Sequence, residues 1–374
     1  MGKYGKVRHI SLNPLSYNTA IMGESGIGKT TIVKQMCEKL AGKDGYIALD
    51  IGKEDGHDAI EGIVSERVED WQTFDDIVTD IVENKETDYP DLKVVVIDTY
   101  DELCLLAEQE VIRLHNKNRK ADAPKIDTIN AAYGGFGKGL DKTIEIVLNE
   151  LWELKKVGVS FIIIAHTKKK DIDDVMSQEQ YSILTSNISQ KYFNAIKTKL
   201  HFLGVAYIDR DVVKKATGKK DIKGKDILKG QVVGESRVIN FRDDTYSVDS
   251  KSRFADIEGK IPFDVDVLIK TMQDAIEKER SKSGESLKES QKREAEKTKE
   301  KEKAASEYSK KQRESFVDEE ANEELLSQIK SIWTDSPAES KTAAKTYMKD
   351  EGFAKFNEEV PTNVLQNVVN MLSA

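Results

Sequence analysis

The stretch Gly23-Glu24-Ser25-Gly26-Ile27-Gly28-Lys29-Thr30 constrains this chain more than any other part of it. It follows a short apolar run at 17–22 and precedes a helical pattern at 31–40, so it reads as strand, glycine turn and helix. Glycines in such a turn let the backbone curl with its N–H groups facing inward, a cradle for the phosphates of a nucleotide. Lys29 then brings a positive charge to the β- and γ-oxygens, and the Thr30 hydroxyl is placed to ligate Mg2+. Gly23, Glu24, Ser25, Gly26, Ile27, Gly28, Lys29, Thr30 and Thr31 are the expected nucleotide contacts, with ATP and Mg2+ as the expected ligands.

Two later strands carry polar residues at their ends. The run at 92–98 is apolar until it stops at Asp98, whose carboxylate is suited to hold the metal through water. The run at 159–165 stops at His166, where a polar side chain can sense the γ-phosphate. Hydrolysis also needs a carboxylate to orient water. Glu54, Asp101 and Glu102 are candidates, and the sequence leaves all three open.

Residues 1–263 alternate between apolar, β-branched runs (17–22, 46–50, 94–98, 159–165, 200–207, 238–242) and helical patterns such as 31–40 and 142–156. Continuous rather than alternating apolar strands predict a mostly parallel α/β sheet covered on both faces. The character changes in 264–318. A helix at 265–276 gives way at 277–311 to Lys, Glu, Arg, Ser and Gln with no apolar face, predicting a solvated single helix or a disordered tether. Periodicity returns in 319–374 with Leu325, Ile329, Trp333, Tyr347, Phe353, Phe356, Val364, Val368 and Leu372, the pattern of a small helical domain.

The net charge of −9 argues against a uniformly basic nucleic-acid binder but leaves room for local patches. Three stand out: Lys117, Arg119, Lys120 and Lys125; Lys168, Lys169 and Lys170, which open a loop after His166; and 214–229, a lysine- and glycine-rich hairpin between two late strands. Tyr133 and Phe136, set among glycines, can stack on bases. Cys37 and Cys104 lie in apolar helical surroundings and read as core residues of a reducing compartment. No run spans a bilayer, so no membrane is expected and a cytoplasmic location is.

The nucleotide motifs, together with Tyr133-Gly134-Gly135-Phe136-Gly137-Lys138, the strand ending at His166 before Lys168-Lys169-Lys170, and Tyr246 to Phe254, resemble the RecA-like ATPases. The likeness is closer still to phage-encoded, AAA-type nucleotide-binding proteins of single-strand annealing and recombination. It covers residues 1 to about 260. The resemblance implies that the His166 strand lies between the Gly23 strand and the Asp98 strand. It also implies oligomers with ATP at subunit seams, and Lys251 and Arg253 as cations reaching a neighbour's γ-phosphate. One departure stands out: Asp50 is followed by Ile51-Gly52-Lys53-Glu54, so the glutamate that RecA-like recombinases carry two residues after the strand's acid is displaced.

The expectation is a RecA-like, Mg2+-dependent ATPase acting on single-stranded DNA in phage-type recombination, annealing or repair. A ring-shaped DNA translocase or helicase and a nucleotide-switched scaffold or loader are the alternatives. In the last, the C-terminal domain docks a single-strand-binding protein or another replication partner.

Overall fold

Val- and Ile-rich runs with no polar interruption build the centre of the fold. A computed structural model describes residues 9–53, 56–120, 123–173, 180–220, 226–242, 250–282, 287–315, 319–334, 336–351, 353, 355–357 and 360–373. Glu54 and residues 246–249 lie outside the described residues.

The first half alternates as expected: β1 (Thr19–Gly23), α1 (Lys29–Ala41), β2 (Tyr46–Ile51), β3 (Ser65–Val68), α2 (Trp71–Glu83), β4 (Val94–Asp98), α3 (Tyr100–Lys117) and α4 (Lys138–Lys156). Then come β5 (Ser160–Asp173), β6 (Gln180–Ser186), α5 (Gln190–Lys197), β7 (Phe202–Lys220), β8 (Asp226–Asn240), β9 (Lys251–Ser252), β10 (Lys260–Pro262) and α6 (Val265–Ser281). The strands form one sheet in the order β10-β8-β7-β1-β5-β4-β2-β3, with β6 added to β5 and β9 to β7. Pairing is parallel from β7 through β1, β5, β4 and β2 to β3, and antiparallel at β8 and β10. The strand of His166 thus lies between those of Gly23 and Asp98.

Strand alternation splits the core into two layers. Ala20, Met22, Val95 and Ile97 face α2, α3, α4 and α5, while Ile21, Val94 and Val96 face α1 and α6. Side chains such as Phe74, Phe161 and Leu151 on one face and Phe202, Met36 and Leu268 on the other are fully buried. Burial of each such group contributes about 2 kcal/mol. Gly23 ends β1 because nothing larger fits: a Cβ there would stand 2.7 Å from the Ala206 carbonyl oxygen on β7.

Two strands run further than their apolar stretches. β5 continues past His166 to Asp173 and pairs antiparallel with β6, so Lys168–Lys170 lie in a strand, not in the expected loop. β7 likewise continues to Lys220 against β8, so the described part of the lysine-rich 214–229 lies in an antiparallel pair, as the expected hairpin requires; residues 221–225 are outside the described residues. Beyond the core a two-stranded ribbon needs no buried face, so its lysines carry no apolar signal of strand. The edge strand β3 and the amphipathic α2 are additions to the expected pattern; Asp70 caps α2 by accepting from the Thr73 N–H at 2.8 Å.

The charged segment also departs from expectation. It forms α7 (Leu287–Ser315) and lies against the core rather than standing in solvent. Its contact face is small and polar: Ser290, Ala305 and Ser309 are buried. The Ser309 hydroxyl donates to the Val82 carbonyl at 2.6 Å, and Tyr308 donates to Glu153. At the other end, Glu294 accepts from the Ser11 hydroxyl and from the Leu12 N–H at 2.9 Å. Serine and tyrosine attachments leave no apolar periodicity, which is why the sequence reads as a tether. α8 (Glu319–Trp333), α9 (Ala338–Asp350) and α10 (Thr362–Ser373) enclose their own cluster around Leu325, Ile329, Val364 and Val368. Among the described residues, no helix is long and apolar enough to cross a membrane.

If these bonds hold α7 in place, Tyr308→Ala with Ser309→Ala should cost about 1 kcal/mol per lost bond. The lysines of α7 should then be cut by trypsin faster than in the wild type. An unaltered digestion pattern would mean that the helix is held by other means.

Candidate functional site

β1, β4 and β2 end beside His166, where β5 leaves the core, and the residues at that level form the site. Gly23 pairs in register with His166, and Asp50 with Asp98. Gly28, in a left-handed conformation (φ 103°), turns the chain into α1, whose first turn carries Lys29, Thr30 and Thr31. Lys29 is buried, with its Nζ donating to the carbonyls of Gly23 (3.2 Å) and Glu24 (3.0 Å). Phosphate oxygens are stronger acceptors than these neutral carbonyls, so an incoming phosphate can take over the ammonium.

The Thr30 hydroxyl donates to Asp98 Oδ2 at 2.6 Å, which joins the start of α1 to the end of β4. These are hard oxygen donors of the kind that Mg2+ selects. Among the described residues, no three His, Cys, Asp or Glu side chains form a metal site by themselves. That fits an ion held by a protein carboxylate and hydroxyl together with substrate phosphates, the usual Mg2+ arrangement.

His57 belongs to this site and was not foreseen. It sits on a single 3-10 turn, Gly56–Ala59, after β2. Its Nε2 lies 3.2 Å from Asp98 Oδ2, and its Nδ1 is buried without a hydrogen-bond partner among the described residues. In sequence it is one histidine after a glycine, and only the β2–β4 pairing brings it to Asp98.

Of the three candidate carboxylates, Glu54 is outside the described residues. Asp101, in the first turn of α3, accepts the main-chain N–H of His166 at 2.9 Å through Oδ2. Its Oδ1 is buried without a hydrogen-bond partner among the described residues. Burial raises the Asp101 carboxyl above its ordinary range, against the opposing pull of the His166 N–H, the His166 ring and Lys29. Glu102 folds over Gly52, where an added Cβ would strike its carboxylate. His166 is half-buried, and burial together with Lys29 lowers its pKa, so the ring is neutral near pH 7.

Arg237 on β8 also reaches the loop, a contact that no spacing in the sequence encodes. Its Nη1 donates to the Ile27 carbonyl at 3.3 Å, and its guanidinium lies 5.9 Å from the Phe263 ring centre. With Gly28, Thr31, Gln35 and Asp264 these two residues line a cleft of about 190 Å3 beside the first turn of α1.

Lys251 and Arg253 are not brought to this site within the same chain. Ser252 and Thr19 both pair with Phe202, at the strand starts, four residues before Gly23. At 3.3 Å per residue they stand about 13 Å away along the sheet. There they close the end of α5: Lys251 donates to the Lys197 carbonyl at 2.6 Å, and Arg253 to those of Leu200 (3.1 Å) and Thr198 (2.5 Å).

The raised Asp101 carboxyl makes a signed prediction. The unfolded chain gives up this proton first, so wild-type stability falls as pH rises above the ordinary carboxylate pKa of about 4. Asp101→Asn keeps an acceptor for the His166 N–H and removes that slope. Urea midpoints should show the variant gaining on the wild type between pH 4 and pH 7. A pH-independent difference would rule out a destabilised Asp101 charge.

A family model described as an AAA domain matches residues 16–254. A comparison with curated proteins returned no match. The matched stretch is more than half of the chain and includes the loop at Gly23–Thr30, Asp98 and His166, and with them the parallel sheet that sets their spacing. The chain belongs to the AAA domain family and is an AAA-type P-loop ATPase.

Proposed function

We propose that this ATPase hydrolyses ATP in response to single-stranded DNA, in recombination, annealing or repair of the phage type. The observation that carries the reading is the course of β5. It runs unbroken from the phosphate site at His166 into the hairpin that bears the exposed Lys168, Lys169 and Lys170. Asp101 grips the main chain of His166 itself, so a change at the phosphates can be passed two residues along a strand to a row of cations.

An aromatic partner for bases stands at the same end of the sheet. Phe136 is fully exposed and Tyr133 partly so. Both adopt left-handed backbone, at φ 53° and 54°, in a run where Gly134, Gly135 and Gly137 do the same. Such conformations cost about 1 kcal/mol each in non-glycine residues, and the surroundings must hold them. Lys191 does so by donating to the Gly137 carbonyl at 3.0 Å, and the His115 ring lies edge-on to Tyr133. Base stacking on such a ring contributes about 1–3 kcal/mol regardless of sequence.

In the catalytic cycle, Lys29 neutralises the β- and γ-oxygens, and the glycine-loop amides hold the phosphates in place. Mg2+, when bound, would offset the negative charge that builds up as the phosphoryl group is transferred. Thr30 and Asp98 would hold that ion, and His57 steadies the same Asp98 oxygen, Oδ2, to which Thr30 donates. Arg237 and Phe263 flank the base. Asp101, with a raised pKa and an Oδ1 that has no hydrogen-bond partner among the described residues, orients the attacking water; Glu102 packs on Gly52. Neutral His166 donates one hydrogen bond to the γ-phosphate. Lys251 and Arg253 act, in this reading, from a neighbouring subunit of an oligomer, and the helices α8–α10 bind a single-strand-binding or replication partner.

Steady-state ATP hydrolysis with Mg2+, with and without single-stranded DNA, tests the reading. Stimulation by DNA should vanish in Lys29→Ala and fall at least tenfold in Phe136→Ala, the latter with ATP affinity intact. Tight ATP binding with no turnover in either condition would favour the nucleotide-switched loader. Arg253→Ala should abolish hydrolysis in the oligomer while nucleotide affinity stays near wild type; undiminished turnover would confine Arg253 to closing α5.

A further inference from the structure

The end of the sheet remote from the phosphate site carries an open cleft that no step above uses. It runs between α7 and the turn before β1. Its main part measures about 640 Å3, and an adjoining part of about 270 Å3 shares Ser16, Lys301 and Ala304 with it. Arg293, Lys297 and Lys301 line it from one face of α7, four residues apart. On a helix rising 1.5 Å per residue, these cations follow one another at about 6 Å. Lys155 and Lys156, at the end of α4, continue the row into the adjoining part.

Lys156 is paired with Glu153, whereas the other lysines of the row have less compensation. Lys297 and Lys301 make no ion pair among the described residues. Lys155 has neutral neighbours: its Nζ donates to Asn18 Oδ1 at 2.5 Å and lies 5.4 Å from the Phe161 ring centre. Burial and the charge of Lys301 push its pKa down to about 8. Past Asn18, His201 lies among Lys155, Lys251 and Arg253, and burial with these three cations lowers it to about 4. Two acids line the cleft. Glu294 is occupied by Ser11 and Leu12, and Glu300 is the other. Gathering cations in this way is unfavourable until an anion joins them.

We propose that this cleft binds the sugar–phosphate backbone of a single nucleic-acid strand, held by Arg293, Lys297, Lys301, Lys155 and Lys156. The row is too long for one phosphate and suits a chain of them. Ser11, Ser16, Ser290 and Thr298 supply neutral hydrogen-bonding groups along it. Among the described residues, no Phe, Tyr or Trp lines either part; contacts of these cations to phosphates position a strand without reading its sequence. It therefore differs in kind from the aromatic surface at Phe136. Because it lies at the strand starts, away from the phosphate loop, its affinity does not depend on the bound nucleotide. The inference rests on the single-stranded DNA reading above and adds a second, separate contact to it.

The test is fluorescence anisotropy of a labelled oligothymidylate with the full-length chain, across a salt series, with and without a non-hydrolysable ATP analogue. The variant is Arg293→Glu with Lys297→Glu and Lys301→Glu, checked for folding by circular dichroism and nucleotide binding. Expected is at least tenfold weaker binding in both nucleotide states. Its plot of log affinity against log salt should be shallower by about 2, from three lost phosphate contacts at about 0.7 each. An oligoadenylate should lose as much. Should the reversed charges dislodge α7, Lys297→Gln with Lys301→Gln should still flatten the slope by about 1.4. Wild-type affinity and slope in these variants, with binding lost in Phe136→Ala, would overturn this cleft and leave the function above standing. Absence of oligonucleotide binding by the wild type at low salt would overturn both.

Discussion

The Asp98 carboxylate is the point on which the site turns. One of its oxygens accepts from Thr30 at 2.6 Å and faces His57 Nε2 at 3.2 Å. Three connections that are far apart in sequence, the loop after β1, the turn after β2 and the end of β4, meet there. The carboxylate is buried, and a buried charge is tolerated only where it has partners. Each neighbour is thereby constrained: α1 must begin beside β4, and the chain after β2 must fold back over it. The parallel sheet provides the alignment, since strands running the same way finish at one level.

That same demand explains which parts of the fold could be read in advance. Gly23 and the turn to Lys29 were legible because a close approach to Ala206 and a left-handed residue at position 28 leave little choice of residue. The strand Val94–Asp98 was legible to its ends, because a fully covered strand needs apolar residues throughout and Asp98 stops the run. His57, Arg237 and Phe263 were not. Each reaches the loop from a separate segment, and no spacing in the sequence encodes that meeting. The lysines of β5 read as loop because a ribbon projecting beyond the core needs no apolar face, whereas the lysines and glycines of 214–229 are legible as a hairpin. α7 was missed as a docked helix for a similar reason: serine and tyrosine hydrogen bonds hold it, and they have no hydrophobic period.

Charge is sorted along the strands, which a net value of −9 conceals. Asp50, Asp98, Asp101 and Glu102 gather where the parallel strands end, with Lys29 among them and Arg67 paired to Asp50. Lys155, His201, Lys251 and Arg253 gather where the strands begin. Acids in excess at one end suit a metal-bound polyphosphate, whose cation they share. Cations in excess at the other end suit an anion arriving without a metal. The length of the sheet separates the two ends, so both can be charged strongly without cancelling each other at short range.

A rigid sheet between two such ends has a mechanical consequence. Its central strands are buried on both faces, and densely packed interiors transmit displacement rather than absorb it. β5 is the strand best placed to use this, because it alone lies between the strands of Gly23 and Asp98 and then leaves the core as a ribbon. β7 repeats the arrangement one position across, touching Gly23 through Ala206, while its partner β8 carries Arg237 to the Ile27 carbonyl. Two ribbons therefore emerge from strands in direct contact with the phosphate loop, each bearing lysines outside the core. A change of a few tenths of an ångström at the loop has no soft place to dissipate before it reaches them.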